Sequence, residues 1–471
     1  PGEASVSQPI PDVRTELDEA PVRPFHWLVV CLVALATMLD GYDTFIPSYM
    51  IHFVAGPWRL SPSAAGFLVS SGLIGFGVGS LTHGIVADRI GRKPTLIVGL
   101  LVAGVFSALT AALATSFSSF VVLRMVTGLG LGVLMPLGTA YVNEYLPRRV
   151  SNRLATLGGA GFAVGGMLAA VLGVALTRDG DWRALYYVGG AAAVLGLIYL
   201  VVFPESAEFL VARGRGEQAA RLLARIRPDR AELYRSAGLT ITAPPPARDL
   251  RLVLAPSYRR RTLALWASAF LLLFNVYGLS AWTPQLMIQR GHGFVIGYSF
   301  GAVLQGMSIV GAIVGGFVAD HYLGARRGLM VWCGLGVASA LLMAFTQSLA
   351  GNVIAIAGAG LFIVGGQFLL NNICAVTYPV QARGTGEGLM LGVGRAGGIL
   401  GPYLGGGLLG AFGGTSVLFV AVAVAAALAV VSVSFVTGRA PRVRPARGAE
   451  ARPAPAAKQP SAERSSGPAG E

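Results

Sequence analysis

Charged residues are scarce in this chain. Only 12% of its 471 residues are Asp, Glu, Lys or Arg, about half of the roughly 25% found in an ordinary globular domain. The few charges cluster in short connectors, and the runs between them reach the length of about 20 apolar residues that crosses a bilayer as a helix. This distribution excludes an ordinary soluble domain and predicts an integral membrane protein built of helices.

Cysteine and histidine are also rare. The three cysteines, Cys31, Cys333 and Cys374, all fall within apolar runs, which argues against a disulfide framework. The five histidines are scattered at predicted helix ends, so no metal site is expected. The motif H-E-x-x-H is missing, and GLGLG (128–132) lies in an apolar run with no preceding strand. The sequence therefore predicts neither an enzyme nor a cofactor.

Twelve apolar runs predict twelve transmembrane helices. Their limits are 26–53, 63–87, 94–115, 118–146, 152–177, 182–203, 260–289, 295–319, 327–347, 350–379, 385–411 and 415–436. A polar connector, 204–259, separates two sets of six, 25–203 and 260–436. Residues 1–24 do not resemble a cleaved signal peptide, so the first span is expected to stay in the mature protein. Residues 437–471, rich in Pro, Ala and Arg, are expected to form a disordered tail.

Basic residues are distributed unevenly about these spans. If both termini are cytoplasmic, the outward loops contain only Arg59, Arg178, Arg183 and Arg290 of the 36 Lys and Arg residues. This asymmetry follows the positive-inside rule and predicts a multi-pass protein with cytoplasmic termini. The expected location is the plasma membrane, as a bacterial inner membrane. Basic loops facing anionic lipid account for the net charge of +14 without a nucleic acid partner.

The two halves contain an internal repeat. GIVADRIGRKP (84–94) follows the second span and GFVADHYLGARRG (316–328) follows the eighth. EYLPRR (144–149) and TYPVQAR (377–383) follow the fourth and tenth spans in the same way. Transporters built from such repeats usually bind substrate between the halves near the midplane of the membrane.

These motifs resemble those of the major facilitator superfamily over residues 25–436. GIVADRIGRKP is similar to the superfamily's signature loop, and RMVTGLGLGVLMP (124–136) is similar to its fourth-helix motif. DGYDT (40–44), ESAEFLVARGR with ARLLARIRP (205–228), and YPVQARGTGEGLMLGVGRAGGILGPYLGG (378–406) resemble the aromatic acid:proton symporter branch. The resemblance implies an all-α fold of twelve helices in two six-helix bundles.

The same resemblance implies a function. It implies a symporter that imports a small aromatic carboxylate, of the benzoate or hydroxybenzoate type, together with protons. Such a protein is expected to act as a monomer and to work by alternating access. A porter of another organic ion or a sugar is the alternative, because such porters share several of these features. A membrane sensor that does not transport is a further alternative.

Four charged residues lie deep inside predicted spans, well away from their ends. Asp40 and Asp43 are three residues apart on one helix face, about 21–26 Å into the membrane, and Arg124 reaches a similar depth on the fourth helix. Arg395 lies near the midplane on the eleventh. Charges inside a membrane usually mark ion or proton pathways. We expect Asp40 and Asp43 to couple transport to protons. Arg395, with Arg124, is expected to bind the substrate's carboxylate. The alternative is that one Asp–Arg pair only locks two helices together.

Uncharged candidates for substrate contact share similar depths or family positions. The aromatic candidates are Tyr42, Phe45, Tyr141, Phe274, Tyr277, Trp282 and Phe368, and the polar ones are Gln305, Gln367, Asn371 and Asn372. Rings of this kind stack on a planar substrate, and amides can bind its substituents. The alternative is that many of them only pack or bridge helices.

A second charged group lies at the predicted cytoplasmic helix ends. Its members are Asp88, Arg89, Arg92, Glu144 and Arg148, with Glu205 at the start of the connector. Salt bridges among these residues could close the inner side and break when the transporter opens inward. The alternative is that the basic members only anchor the topology.

Overall fold

The computed structural model describes residues 10–236, 238–241 and 250–436, and within them it is almost entirely helical. The first half contains α1 (Val13–Glu19), α2 (Pro24–Val54), α3 (Pro62–Ile90), α4 (Arg92–Leu113), α5 (Phe117–Tyr145), α6 (Arg148–Leu176), α7 (Arg183–Gly189) and α8 (Ala191–Val202). The connector contains α9 (Ala207–Ala212), α10 (Gly216–Ile226), α11 (Ala231–Ser236) and α12 (Leu250–Val253). The second half contains α13 (Pro256–Gln289), α14 (Phe294–Val318), α15 (Gly324–Phe345), α16 (Leu349–Ala359), α17 (Gly366–Thr377), α18 (Val380–Phe412) and α19 (Thr415–Ser434).

The all-helical membrane architecture is confirmed. Ten segments of the described residues are long and apolar enough to cross a membrane. One of them, Phe294–Phe345, joins two predicted spans, and α18 is not among the ten. The predicted sixth span is two helices, α7 and α8, and the tenth is α16 and α17 joined by a π-helical turn, Gly360–Val364. The count of twelve spans and the domain limits stay predictions, and the tail, 437–471, lies outside the described residues.

Close helix packing depends on glycine. A Cβ atom at Gly128 of α5 would lie 2.0 Å from the carbonyl oxygen of Gly72 in α3. One at Gly165 of α6 would lie 1.9 Å from the carbonyl oxygen of Met38 in α2. Only a residue without a side chain allows these backbones to approach, as is common in membrane helices.

The helix ends define two faces of the molecule. We call the face with α1, the connector and the junctions α3–α4 and α5–α6 the connector face. The opposite face contains the turns at 55–61, 177–182, 290–293 and 413–414. These two names describe the fold alone and assign no compartment.

The two halves meet at the opposite face and separate toward the connector face. Near the opposite face, a Cβ atom at Gly66 of α3 would lie 2.3 Å from the Pro402 carbonyl oxygen of α18, and the Tyr298 hydroxyl donates to the Tyr49 carbonyl. Toward the connector face, Gly384 and Gly388 of α18 have no other described residue within 4 Å of a built Cβ. The structure is therefore closed at the opposite face and open at the connector face.

A polar cluster joins three helices of the second half, α13, α16 and α19, at the opposite face. Arg290 donates from Nη1 to Asn352 Oδ1 (2.7 Å) and from Nε to Thr415 Oγ1 (3.0 Å). Because the Asn352 oxygen accepts from Arg290, its Nδ2 faces His292 Nε2 at 2.9 Å and must donate to it. Asn352 is fully buried, so this amide connects the end of α13 with α16 through two hydrogen bonds.

Asn352→Leu is expected to destabilise the protein by about 2–3 kcal/mol, because a hydrogen bond to a charged group is lost and the Arg290 guanidinium loses a partner. The measurement is thermal unfolding of the purified protein in detergent. The matched control is Asn372→Leu, because Asn372 is exposed. An Asn352→Leu variant that unfolds at the temperature of the wild type would show that the cluster contributes nothing to stability.

Candidate functional site

Asp43 and Arg124 form a buried ion pair between α2 and α5. Arg124 Nη1 contacts Asp43 Oδ1, and Nη2 donates to the Asp43 carbonyl oxygen at 2.9 Å. Ser107 of α4 donates from Oγ to Asp43 Oδ2 at 2.6 Å. Both charged side chains are almost inaccessible to solvent. Every oxygen of the Asp43 carboxylate therefore has a partner, as expected of a pair that locks helices together.

The surroundings of this pair belong to the first half. The Arg124 guanidinium lies over the Tyr186 ring, 5.4 Å from its centroid. Tyr42, a predicted substrate contact, donates from its hydroxyl to the Leu185 carbonyl at 2.9 Å. The structure thus places Tyr42 against α7, with its polar atom already occupied.

Asp40 has very different surroundings, although it lies one helical turn from Asp43. Its side chain is fully buried, and Oδ1 accepts only a long hydrogen bond of 3.4 Å from Thr44 Oγ1. Oδ2 is buried without a hydrogen-bond partner among the described residues. The charged groups that act on it are Arg395, which attracts a carboxylate, and Asp43, which repels one. Among the described residues, Asp40 is therefore a buried acid without an ion pair.

Arg395 projects from α18 toward the first half. Its guanidinium lies over the Phe76 ring of α3, 4.1 Å from the centroid, and Nη1 donates to the Tyr277 hydroxyl of α13 at 2.8 Å. Arg395 Nε is buried without a partner, and no carboxylate within the described part of the chain forms an ion pair with Arg395. The Tyr277 ring lies 6.1 Å from that of Phe45, nearly parallel to it. This arrangement brings a cation and three rings together from both halves.

Phe76 was not predicted from the sequence. It lies at the middle of α3 and is almost fully buried. The same estimate of depth that selected Arg395 could have found this ring. A small cavity lined by Thr44, Phe76 and Arg124, among others, connects this ring with the Asp43–Arg124 pair.

The remaining predicted substrate contacts are distributed more widely. Gln305 donates to Ser280 Oγ at 3.3 Å, and Gln367 donates to Asn371 Oδ1 at 3.2 Å, both within the second half. Trp282 donates to the Pro402 carbonyl at 2.9 Å and so joins α13 to α18. Phe274 is partly buried beside Gly401 of α18. Whether these residues contact substrate stays a prediction.

Tyr141 lies with the connector face rather than with Arg395. Its ring is 4.8 Å from that of Tyr145 and 4.3 Å from that of Phe203, and its hydroxyl donates to the Pro204 carbonyl. Along α5 it is about 25 Å from Arg124, at a rise of about 1.5 Å per residue. Membership of the fourth helix placed it among the candidates, but its depth separates it from the charged group.

The predicted gate residues contact one another within the first half. Arg92 pairs with Glu144 (Nε–Oε1, 3.3 Å) and with Asp88 (Nη1–Oδ1, 3.5 Å). Glu205 Oε1 accepts the backbone N–H groups of Arg92 (3.0 Å) and Lys93 (3.2 Å) at the start of α4. In the described part of the chain, no ion pair joins these residues to the second half, which agrees with the open connector face. Their role as a gate stays a prediction.

Two other predicted gate residues have partners outside that group. Arg89 is exposed, and its carbonyl accepts from Arg213 Nη2 at 2.8 Å. Arg148 pairs with Asp18 of α1 (3.1 Å). Glu144 and Arg148 are four residues apart, but Arg148 begins the next helix, α6, and α1 supplies its partner.

The docking of α1 was also not predicted. Glu16 is buried and contacts three connector residues: Arg227 (3.0 Å), Arg230 and Tyr234, whose hydroxyl donates to Glu16 Oε2 at 2.6 Å. Burial and this hydrogen bond raise the pKa of Tyr234. A segment that looks polar and exposed in the sequence is therefore held firmly against the connector.

Comparison with known proteins identifies relatives over most of the chain. The chain is 32% identical over 406 residues to the 4-hydroxybenzoate transporter PcaK of Pseudomonas aeruginosa, covering 84% of this chain and 88% of the relative. It is 31% identical to the benzoate transport protein of Acinetobacter baylyi, covering 83% and 85%. It is also 33% identical to the gallate transporter of Pseudomonas putida, covering 91% and 96%.

A solved structure shows the same fold. The inward-open xylose transporter XylE from E. coli superimposes with a TM-score of 0.70 at 17% sequence identity, covering 89% of this chain and 98% of that one. A family model described as Major Facilitator Superfamily matches residues 33–375 and 306–467. The protein is thus a multi-pass membrane protein and not an enzyme. The chain belongs to the major facilitator superfamily.

Proposed function

We propose that this protein imports a small aromatic carboxylate together with protons by alternating access. The observation that carries the proposal is Arg395, a half-buried cation with no acidic partner among the described residues, which lies over one aromatic ring and donates to the hydroxyl of another. The names of the relatives, transporters of 4-hydroxybenzoate, benzoate and gallate, support the same class of substrate.

Arg395 provides what a carboxylate needs. A guanidinium binds a carboxylate through two parallel hydrogen bonds, and Nε of Arg395 is a donor that no described residue uses. The rings of Phe76, Tyr277 and Phe45 offer faces and edges against which a benzoate-type ring can stack. A sugar would not need such a cation, and a cationic substrate would be repelled by it.

Asp40 is the proposed proton carrier. An ionised carboxylate without a partner is costly in a buried site, and binding a proton removes that cost. Asp43, by contrast, is stabilised in its charged form by Arg124 and Ser107. We assign proton coupling to Asp40 and the locking of α2, α4 and α5 to Asp43. One proton carried with one monovalent anion would move no net charge.

Alternating access would proceed by rocking of the two six-helix bundles, 25–203 and 260–436. With the connector and both termini in the cytoplasm, the open connector face corresponds to an inward-open state. Closing that face would bring the connector ends of α3 and α18 together beside Arg92 and Glu144. Each chain has its own site between the halves, so a monomer is the proposed unit of transport.

The test is uptake of radiolabelled 4-hydroxybenzoate into liposomes that contain the purified protein, with an inward proton gradient. Arg395→Gln is expected to raise KM about 10- to 100-fold, since hydrogen bonds to a charged group contribute about 1.5–3 kcal/mol. The control is Arg235→Gln, an exposed arginine of α11, which is expected to leave uptake unchanged. Uptake of an organic cation or a sugar in place of any aromatic acid would contradict the proposal.

A further inference from the structure

A concave notch lies at the connector face beside the end of α8. Its volume is about 280 Å³, and it is lined by Pro204, Glu205, Leu210, Gln218, Arg221, Leu222 and Arg225. It is separate from the Arg395 site, and of its lining residues only Glu205 belongs to the predicted gate group.

Two arginines give the notch a positive charge. Arg221 and Arg225 are one turn apart on α10, so they share one face of the helix, and both are exposed. Neither forms a hydrogen bond or an ion pair with another described residue. The other side of α10 is buried through Ala219, Leu223 and Ile226, which holds the basic face outward.

The acid in the lining of the notch, Glu205, already accepts hydrogen bonds from the backbone. Glu205 Oε1 accepts three backbone N–H groups, those of Arg92 (3.0 Å), Lys93 (3.2 Å) and Ser206 (2.9 Å). These donors belong to the start of α4 and to the chain after α8, so this oxygen is held by backbone groups. Glu205 thus has partners among the described residues, whereas Arg221 and Arg225 have none.

An exposed apolar surface of α8 ends a few residues before the notch in the chain. Val201 of α8 is 86% exposed and Leu197 is 55% exposed, as expected for residues that face lipid. The chain reaches Pro204, which lines the notch, within one turn of Val201. Lys93 Nζ donates to the Leu200 carbonyl at 2.8 Å and adds a third cation at this level. The notch thus lies where the lipid-facing surface meets the basic connector.

We propose that this notch binds the phosphate headgroup of an anionic phospholipid whose acyl chains lie along α8. Basic groups near the membrane surface attract anionic lipids with about 1 kcal/mol per Lys or Arg. The exposed apolar residues of α8 favour a lipid over free phosphate, which would gain nothing from an apolar surface. Binding would connect α10, and with it the connector, to one leaflet of the bilayer.

The test is native mass spectrometry of the full-length chain in detergent with added dioleoylphosphatidylglycerol. The double variant Arg221→Gln/Arg225→Gln is expected to retain this lipid with about 30-fold lower affinity, and each single variant with about fivefold lower affinity. Arg235→Gln is the control because Arg235 is an exposed arginine of the same connector, without an ion-pair partner among the described residues. It is expected to bind the lipid as the wild type does.

Three results would overturn the proposal. The first is unchanged phosphatidylglycerol binding by the folded double variant. The second is that the wild type retains dioleoylphosphatidylcholine as well as it retains dioleoylphosphatidylglycerol. The third is displacement of the lipid by millimolar inorganic phosphate, which would indicate a site for free anions. Because both arginines are exposed, the single variants are expected to fold and provide the comparison if the double variant does not. The readout is lipid retention, so it does not depend on whether the chain transports aromatic acids.

Discussion

Asp40→Asn is expected to abolish proton-driven accumulation of the substrate while exchange across the membrane continues. Asn keeps the volume of the side chain but cannot bind and release a proton, so the carrier would behave as if permanently protonated. A gradient of about one pH unit, worth about 1.4 kcal/mol, drives about tenfold accumulation in a symporter that moves one proton. In the variant the ratio of internal to external substrate should fall to one.

The measurement compares two assays on the same liposomes. Accumulation of labelled 4-hydroxybenzoate is followed under an imposed pH gradient, and counterflow is followed with no gradient and unlabelled substrate inside. Asp40→Glu, which retains an ionisable group, is the matched control and should keep part of the accumulation. Accumulation by Asp40→Asn at the level of the wild type would remove Asp40 from the coupling mechanism.

Arg124→Gln is expected to cost about 3–5 kcal/mol of stability, because it leaves the Asp43 carboxylate buried without its cation. Ser107 would remain as a donor to Asp43 Oδ2, but one neutral hydroxyl does not replace a guanidinium that contacts both the side chain and the backbone of Asp43. The measurement is the midpoint of thermal unfolding in detergent. The loss should appear without any substrate or proton gradient.

The double variant Asp43→Asn/Arg124→Gln is the matched control for this pair. Removing both charges eliminates the unpaired buried carboxylate, so the double variant should recover much of the stability that Arg124→Gln loses. A double variant no more stable than Arg124→Gln would show that the ion pair itself is not what holds α2 and α5 together. A fully stable Arg124→Gln would show that Asp43 finds another partner or becomes protonated.

Much of the architecture could be predicted from the sequence because the membrane imposes strong rules. The length of the apolar runs, the scarcity of charge and the repeated signature loops pointed to a helical transporter of two halves, and the family is confirmed. Interruptions of the helices within single spans were harder to predict. Gly190, between α7 and α8, and the π-helical turn Gly360–Val364 change the backbone without changing its hydropathy.

The sequence alone could also place Asp40, Asp43, Arg124 and Arg395 in the interior, because the rise of a helix converts residue number into depth. It could not divide the roles of the two acids. Depth does not specify which way a helix is rotated or which helices surround it. That decision depends on the packing of α4 and α5 against α2, which gives Asp43 two partners and leaves Asp40 with none of comparable strength.

Contacts between distant segments were decided only by the tertiary structure. The Phe76 ring under Arg395, the docking of Glu16 on the connector and the open connector face all join residues far apart in the chain. Local pattern and depth contain no information about such neighbours, since they depend on how whole helices pack. What the sequence determined by itself was a membrane transporter with charges at its centre; which of those charges are paired and which remain free was decided by helix packing.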